Sequence, residues 1–195
     1  VMTWFAANPF PEPAWSDEFR ELARQPLVYL PKDWRTRISL AGPDLTKVET
    51  ECRDVLAATQ QRPAPPSDIE REAVDAYAAI GKVQQLVGPL IPQVSPPSTA
   101  ALLQAMLWDS VPVTFSFKEQ FNRGRPYHCC DLPLNPMFQR PSRHYPGHPS
   151  YPSGHSTQAH MVAELYARMF PALRLRLYEE ADGVAVETVN VSTLA

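Results

Sequence analysis

The segment Tyr151-Pro152-Ser153-Gly154-His155-Ser156 opens the most regular apolar pattern of the chain. Apolar residues follow it at helical spacing and predict a helix over 153–169, stopped by Pro171: Ala159, Val162, Ala163 and Tyr166. Pro152 stiffens the approach to this helix, and Gly154 lets the backbone come close to a ligand. Because the amides of a first helical turn have no partner within the helix, this helix end favours an anion.

Two side chains of the same segment add chemistry to that preference for an anion. The Ser153 hydroxyl is a further donor, and the His155 imidazole, with an ordinary pKa of about 6.5, could protonate a leaving oxygen. The plainer interpretation is a serine that caps the helix, followed by a histidine on the surface. The segment on its own does not decide between these interpretations.

A second, basic segment runs Lys118-Glu119-Gln120-Phe121-Asn122-Arg123-Gly124-Arg125-Pro126. Lys118 and Arg125 are seven residues apart, so we expect both cations on one face of a helix that Gly124 and Pro126 end. The planar fork of an arginine suits two oxygens of an anion, and a lysine adds a compact charge. The alternative is two solvated charges at the end of a helix.

Helical spacing elsewhere indicates an all-α chain. It predicts helices at residues 17–24, 44–62, 69–87, 100–109 and 172–181, and Ser67 and Glu70 form a capping box before the third of these. Pro112 is expected to interrupt the helix that begins at residue 100. Residues 113–122 alternate like a strand but also fit a helix, and we favour the helix.

The distribution of prolines indicates how the chain is divided. The 22 prolines outnumber the 7 glycines and cluster between the predicted helices, so the connections should be stiff. Residues 1–43, rich in aromatics and prolines, are expected to form an N-terminal arm that packs on one helical domain at 44–195. Residues 124–151 contain six prolines without periodicity, which predicts a long, ordered and functional loop.

Composition excludes several classes of protein. A net charge of −3 and a pI near 6.0 offer no basic excess for a nucleic acid. The best apolar stretch, 83–94, is shorter than the roughly 18 to 20 residues of a membrane span. We expect a soluble chain with no membrane span, either monomeric or a homo-oligomer. Residues 1–5 lack the basic and apolar regions of a signal peptide. We expect a periplasmic or secreted protein if such a peptide was removed, and otherwise a cytoplasmic one.

The cysteines and histidines do not have the spacing of a metal site. Three cysteines give an odd count, and adjacent Cys129 and Cys130 are poorly placed for a disulfide with each other, so we expect them to pack. The intervals between His144, His148 and His155 match no common zinc pattern, and no metal is expected.

Taken together, Lys118, Arg125-Pro126 after six intervening residues, a loop and Pro152-Ser153-Gly154-His155 resemble two of three signature motifs of the type 2 phosphatidic acid phosphatase superfamily. That family includes bacterial non-specific acid phosphatases, integral-membrane lipid phosphatases and vanadium-dependent haloperoxidases. Its common fold is a helical bundle, so the resemblance implies a bundle of the acid phosphatase and haloperoxidase type. The matching residues lie between positions 118 and 156.

The resemblance implies a role for each matching residue. Lys118 and Arg125 would bind oxygens of a phosphoryl group, and the Ser153 hydroxyl and Gly154 amide would hold others. His155 would protonate the leaving alcohol. In flight, a phosphoryl group spreads negative charge over its oxygens, which such donors stabilise. In a haloperoxidase the same groups would hold vanadate as the cofactor; otherwise no cofactor is expected.

The third motif of that family is absent from the sequence. It contains a Ser-Arg pair and, beyond five further residues, the histidine that attacks phosphorus or ligates vanadium. After His155 the remaining histidine is His160, and the last arginine is Arg176, so we expect a truncated or altered C-terminus. His128, His144 and His148 are candidate replacements, but the sequence cannot place them in line with a leaving group.

Three hypotheses follow for the function. The first is a soluble acid-phosphatase-like hydrolase of phosphomonoesters, weak or inactive without the third-motif histidine. The second is a vanadium-dependent haloperoxidase-like protein. The third is a non-catalytic phosphate-binding or structural remnant. A phosphate- or vanadate-sized oxyanion is the expected partner.

Overall fold

A computed structural model describes residues 9–10, 15–60, 96–125, 128, 130 and 147–189. Its helices are α1 (Asp17–Arg24), α2 (Trp34–Arg37), α3 (Val48–Gln60), α4 (Pro96–Phe121), α5 (Gly154–Met169) and α6 (Arg174–Val189). Short 3-10 turns precede α3 at Leu45–Lys47 and α6 at Pro171–Leu173. Extended pairing in these residues is limited to an isolated bridge between Pro9 and Arg123. The described chain is therefore all-α, as the sequence predicts.

The largest cluster of buried apolar residues lies where α5 packs between α4 and α6. Ala159, Ala163 and Ala167 follow one another at intervals of one turn along α5 and are at most 2% exposed, so the neighbouring helices can approach closely. The rest of the cluster comes from all three helices: Leu103, Val162, Tyr166, Leu177 and Ala181. The predicted stop at Pro171 is confirmed, but the last helix runs from Arg174 to Val189 instead of ending at residue 181.

The long helix α4 continues through Pro112, so the predicted interruption there is wrong. A proline within a helix removes one hydrogen bond and costs about 3 kcal/mol. Near this proline, α4 contacts the N-terminal residues. The Asp109 carboxylate accepts the amides of residues 28–30 at 2.9, 2.7 and 2.5 Å, and α1 packs on the turns that follow. The helix favoured for residues 113–122 is confirmed and ends at Phe121.

The described part of residues 1–43 lies along α4. The predicted helix at 17–24 is confirmed as α1, whose cap Ser16 accepts the Phe19 amide at 3.4 Å. Phe19 stacks on Phe115 of α4 with ring centroids 5.5 Å apart. Trp34 of α2 meets Phe117 edge-on at 5.9 Å. Aromatic pairs of this kind hold the two short helices on the long one.

A disulfide that the sequence did not predict joins α3 to the chain beyond α4. Cys52, which is 2% exposed, is bonded to Cys130, with their Cα atoms 5.6 Å apart. The expectation that Cys130 only packs is therefore wrong. Spacing in the sequence does not indicate this pair, because Cys52 lies 78 residues from Cys130.

Two further predictions concern a helix at 69–87 and the lack of a membrane span. The helix predicted at 69–87, with its capping box, lies outside the described residues. Within the described ranges, none of the helices combines the length and the apolar character needed to cross a membrane.

Candidate functional site

The segment that leads into α5 crosses α4 beside Lys118. The Lys118 Nζ donates to the carbonyl oxygens of Pro149 and Ser150 at 2.8 and 3.1 Å. One turn earlier on the same face of α4, Thr114 Cγ2 lies 4.0 Å from the position that a Cβ on Gly154 would take. The ammonium group and the first turn of α5 therefore lie on the same side of α4.

A tight turn after α4 brings the chain back against this segment. Asn122, with a φ of 44°, follows the helix in the left-handed conformation that asparagine tolerates better than most residues. The Ser150 amide donates to the Arg123 carbonyl at 2.9 Å, and the Ser150 hydroxyl lies 2.8 Å from the Gly124 carbonyl. These bonds fix the residues just before Arg125 to the segment just before α5.

Arg125 reaches the cluster through that turn. It lies beyond Phe121, where α4 ends, so the prediction that Lys118 and Arg125 share one helix face is wrong. The seven-residue spacing fits two helical turns only if the helix continues, and Asn122 ends it first. The Arg125 Nε donates to the His148 carbonyl at 2.9 Å, which holds the guanidinium beside the segment that Lys118 also contacts.

Both predicted cations are buried. Lys118 is 2% exposed and Arg125 is 1% exposed. Burial, followed by the repulsion of Arg125, holds the pKa of Lys118 well below its ordinary value. Since both groups are cations and one perturbs the other, they converge on one region. Two buried cations in that region are what a small anion would stabilise.

His148 is packed into the same cluster. Its ring lies edge-on to Phe19 at 4.7 Å and to Phe115 at 5.0 Å. Its Nδ1 lies 3.1 Å from a terminal nitrogen of Arg125. The sequence suggested His148 only as a replacement nucleophile or a zinc ligand. Its contact with Arg125 depends on the turn after α4, which no periodicity indicates.

Burial and the neighbouring cations favour the neutral form of His148. Burial is the largest cause that lowers its pKa well below the ordinary value, followed by Lys118, Arg125 and then His155. The Pro149 carbonyl, 3.0 Å from Nδ1, opposes them. A neutral imidazole can accept an Arg125 N–H at Nδ1 and keep its proton on Nε2. His155 is the last of the groups that lower this pKa.

The serine and glycine at the start of α5 have different roles. The Ser153 hydroxyl accepts the Ser156 amide at 3.3 Å and caps the helix, so the plainer interpretation holds for this contact. The same hydroxyl keeps its hydrogen as a donor. Gly154 is the first helical residue, and its amide has no partner inside the helix. These two groups lie at the start of α5, where Gly154 faces Thr114 of α4.

The other histidines of the described chain lie at different distances from the cluster. The Nδ1 of His128 accepts the Arg125 backbone amide at 3.3 Å. Burial, with a smaller effect of Arg125, lowers the pKa of His128 to about 4. His160 points instead to α6, where its Nε2 lies 3.0 Å from Asp182. His144 lies outside the described residues.

The donor set suits an oxyanion better than a metal ion. Lys118, Arg125, Ser153 and Gly154 supply N–H and O–H donors, whereas metal ions need lone pairs from carboxylates, imidazoles or thiolates. No group of three or more such ligands occurs within the described ranges. A cleft of about 300 Å³ lies elsewhere, between α1, α2 and the Pro112 and Ser116 side of α4, and none of the five predicted site residues lines it.

Comparisons with known proteins assign no family. No protein-family model matches the chain, and no similar protein was found among curated proteins or solved structures. The site is therefore interpreted from its own geometry.

Proposed function

We propose that Lys118, Arg125 and the first turn of α5 bind a phosphate-sized oxyanion in an acid-phosphatase-like hydrolase of phosphomonoesters. The burial of Lys118 carries this proposal, because a buried ammonium group is costly without an opposite charge. Among the described residues, Lys118 takes part in none of the ion pairs, and its hydrogen-bond acceptors are two carbonyl oxygens. A phosphate dianion would provide an opposite charge for the Lys118 ammonium group.

The groups around the proposed anion suit phosphoryl transfer. The Arg125 guanidinium and the Lys118 ammonium would hold oxygens whose charge increases in the transition state. The Ser153 hydroxyl and the Gly154 amide would bind the remaining oxygen at the positive end of α5. His155 would donate a proton to the leaving alcohol. With this assignment, we infer that the helices form a bundle of the acid phosphatase and haloperoxidase type.

Turnover should be weak compared with binding. Covalent phosphoryl transfer needs a nucleophile on the side opposite the leaving group. His160, the one histidine after His155, is held by Asp182 of α6. We therefore expect anion binding with slow hydrolysis.

Calorimetric titration with inorganic phosphate tests the anion site. Lys118→Met and Arg125→Met should each weaken phosphate binding by roughly 10- to 100-fold, the effect of losing one charge-assisted hydrogen bond. Arg35→Met is the matched control, because Arg35 lines the separate cleft on the other side of α4 and bonds to Ser116. Wild-type affinity in the Lys118→Met variant would show that this cation is not a ligand.

Hydrolysis of an aryl phosphate, inhibited by vanadate, tests the phosphatase chemistry. His155→Ala should lower turnover by roughly 10²- to 10⁴-fold, typical of a lost general acid, with phosphate affinity almost unchanged. Phosphate binding without any turnover would reduce the function to anion binding. Peroxide-dependent bromination by the vanadate-loaded protein would instead assign the site to halide oxidation.

A further inference from the structure

The disulfide attaches α3 to the part of the chain that carries the oxyanion ligands. Cys130 lies five residues after Arg125, and Cys52 is buried within α3. Between Arg125 and Cys130 in the sequence, the ring of His128 accepts a hydrogen bond from the backbone amide of Arg125. The position of Cys130 is therefore linked to that of Arg125 through a short piece of chain with its own internal hydrogen bond.

A second link runs beside the disulfide. Glu51, the neighbour of Cys52, forms an ion pair with Arg123, which is 6% exposed. The carbonyl oxygen of Arg123 also accepts the Ser150 amide at 2.9 Å. Adjacent residues of α3 thus hold the turn at both ends, before and after Arg125. If the disulfide is broken, the ion pair still holds one end.

Lys118 is linked to the same turn through the segment that leads into α5. Its ammonium donates to the carbonyl oxygens of Pro149 and Ser150, and Ser150 is bonded to the turn that α3 holds. A shift of this turn would move Arg125 directly and Lys118 through Ser150. The geometry of the two cations therefore depends on the attachment to α3.

We propose that the Cys52–Cys130 disulfide positions Arg125 for the oxyanion, so that its reduction weakens phosphate binding. This inference rests on the proposed oxyanion site. Reduction by a dithiol such as dithiothreitol breaks the Sγ–Sγ bond, and two electrons and two protons convert the cystine to two thiols while the dithiol becomes a disulfide. The remaining Glu51–Arg123 pair keeps the turn in place loosely, so affinity falls but is not lost.

Because phosphate binding and the redox state of the disulfide are thermodynamically linked, the change in affinity can also be measured as a change in the midpoint potential of the disulfide. If the oxidised protein binds phosphate more tightly, phosphate must stabilise the oxidised protein by the same factor. A tenfold difference in affinity lowers the midpoint potential of the disulfide by about 30 mV at saturating phosphate. A disulfide that only braces the fold, without affecting the site, would show no such shift.

The test uses the full chain with Cys129→Ser, which leaves one possible disulfide. Phosphate affinity is measured by calorimetry for the oxidised and the dithiothreitol-reduced protein, and helicity is followed by circular dichroism. The midpoint potential is then measured in glutathione buffers with and without phosphate at constant ionic strength. We expect about tenfold weaker binding by the reduced protein, retained helicity and a shift of about 30 mV that saturates.

The possible results separate the two proposals. Equal affinities and an unchanged potential would overturn the positioning role while leaving the oxyanion site intact. Loss of helicity on reduction, with a shift that keeps growing as phosphate is added, would show a disulfide that holds the whole fold and would also overturn it. Absence of phosphate binding by the oxidised protein would contradict the proposed function itself.

Discussion

At the scale of single residues, the packing around position 154 does not require a glycine. A Cβ at this position would lie 4.0 Å from Thr114 Cγ2, an ordinary contact, and the described glycines include none with a positive φ. Neither sterics nor backbone conformation therefore demands glycine here. A ligand that comes close to the backbone would demand it.

Replacement of Gly154 by alanine should separate stability from binding. We expect the free energy of unfolding in urea to stay equal or to rise by up to about 1 kcal/mol, because alanine favours helices over glycine. Phosphate affinity should fall, since the added methyl group occupies space at the helix end. Gly183→Ala is the control, because nothing lies within 4 Å of its Cβ position. Unchanged phosphate affinity in Gly154→Ala would rule out close approach of the anion.

At the scale of elements, Asp109 joins the N-terminal arm to α4. Its carboxylate is 1% exposed and accepts three consecutive backbone amides from residues 28–30. One buried carboxylate thus accepts three consecutive amides from a bend whose Val28 and Tyr29 side chains are exposed. These hydrogen bonds of Asp109 lie next to Pro112, where α4 lacks one of its own backbone hydrogen bonds.

Asp109→Asn should loosen the arm. The amide side chain keeps the shape but removes the charge and turns one acceptor into a donor that faces other donors. We expect a loss of about 1.5–3 kcal/mol in the free energy of unfolding, measured in urea, and faster proteolysis within residues 1–43. Glu119→Gln, an exposed substitution on the same helix, should change neither. Equal proteolysis of Asp109→Asn and wild type would show that other contacts hold the arm.

At the scale of the whole molecule, the partly buried histidines His128 and His148 make stability depend on pH. The pKa of His128 is lowered from 6.5 to about 4 in the folded protein, and the pKa of His148 is lowered as well. At a pH between about 4 and 6.5, the unfolded chain binds a proton at His128 that the folded chain does not bind. Its contribution to stability is therefore complete above pH 6.5 and decreases as the pH falls toward 4.

Urea unfolding midpoints from pH 7 to pH 4.5 would show this loss. The midpoint should decrease with falling pH, and His128→Gln should reduce the slope because one of the titrating groups is gone. A nuclear magnetic resonance titration of the His128 ring gives the direct measurement. A His128 pKa near the ordinary value of 6.5 would contradict its burial beside Arg125.

The sequence predicts several helices of this protein and the residue types that could bind an oxyanion. Apolar spacing and local caps mark α1, α3 and α5 because those signals come from residues within a few positions of each other. The choice of Lys118, Arg125 and the residues around Gly154 follows from side-chain chemistry and from the positive end of a helix. Their roles in binding and catalysis stay predictions.

Other features depend on contacts between distant parts of the chain, which only the tertiary structure decides. Helix α4 continues through Pro112, and Arg125 reaches the segment before α5 through the turn at Asn122 rather than from a shared helix face. The Cys52–Cys130 bond and the packing of His148 likewise join residues that are far apart in sequence. Periodicity reports which side of a helix is apolar, but not which distant residue the fold places against it.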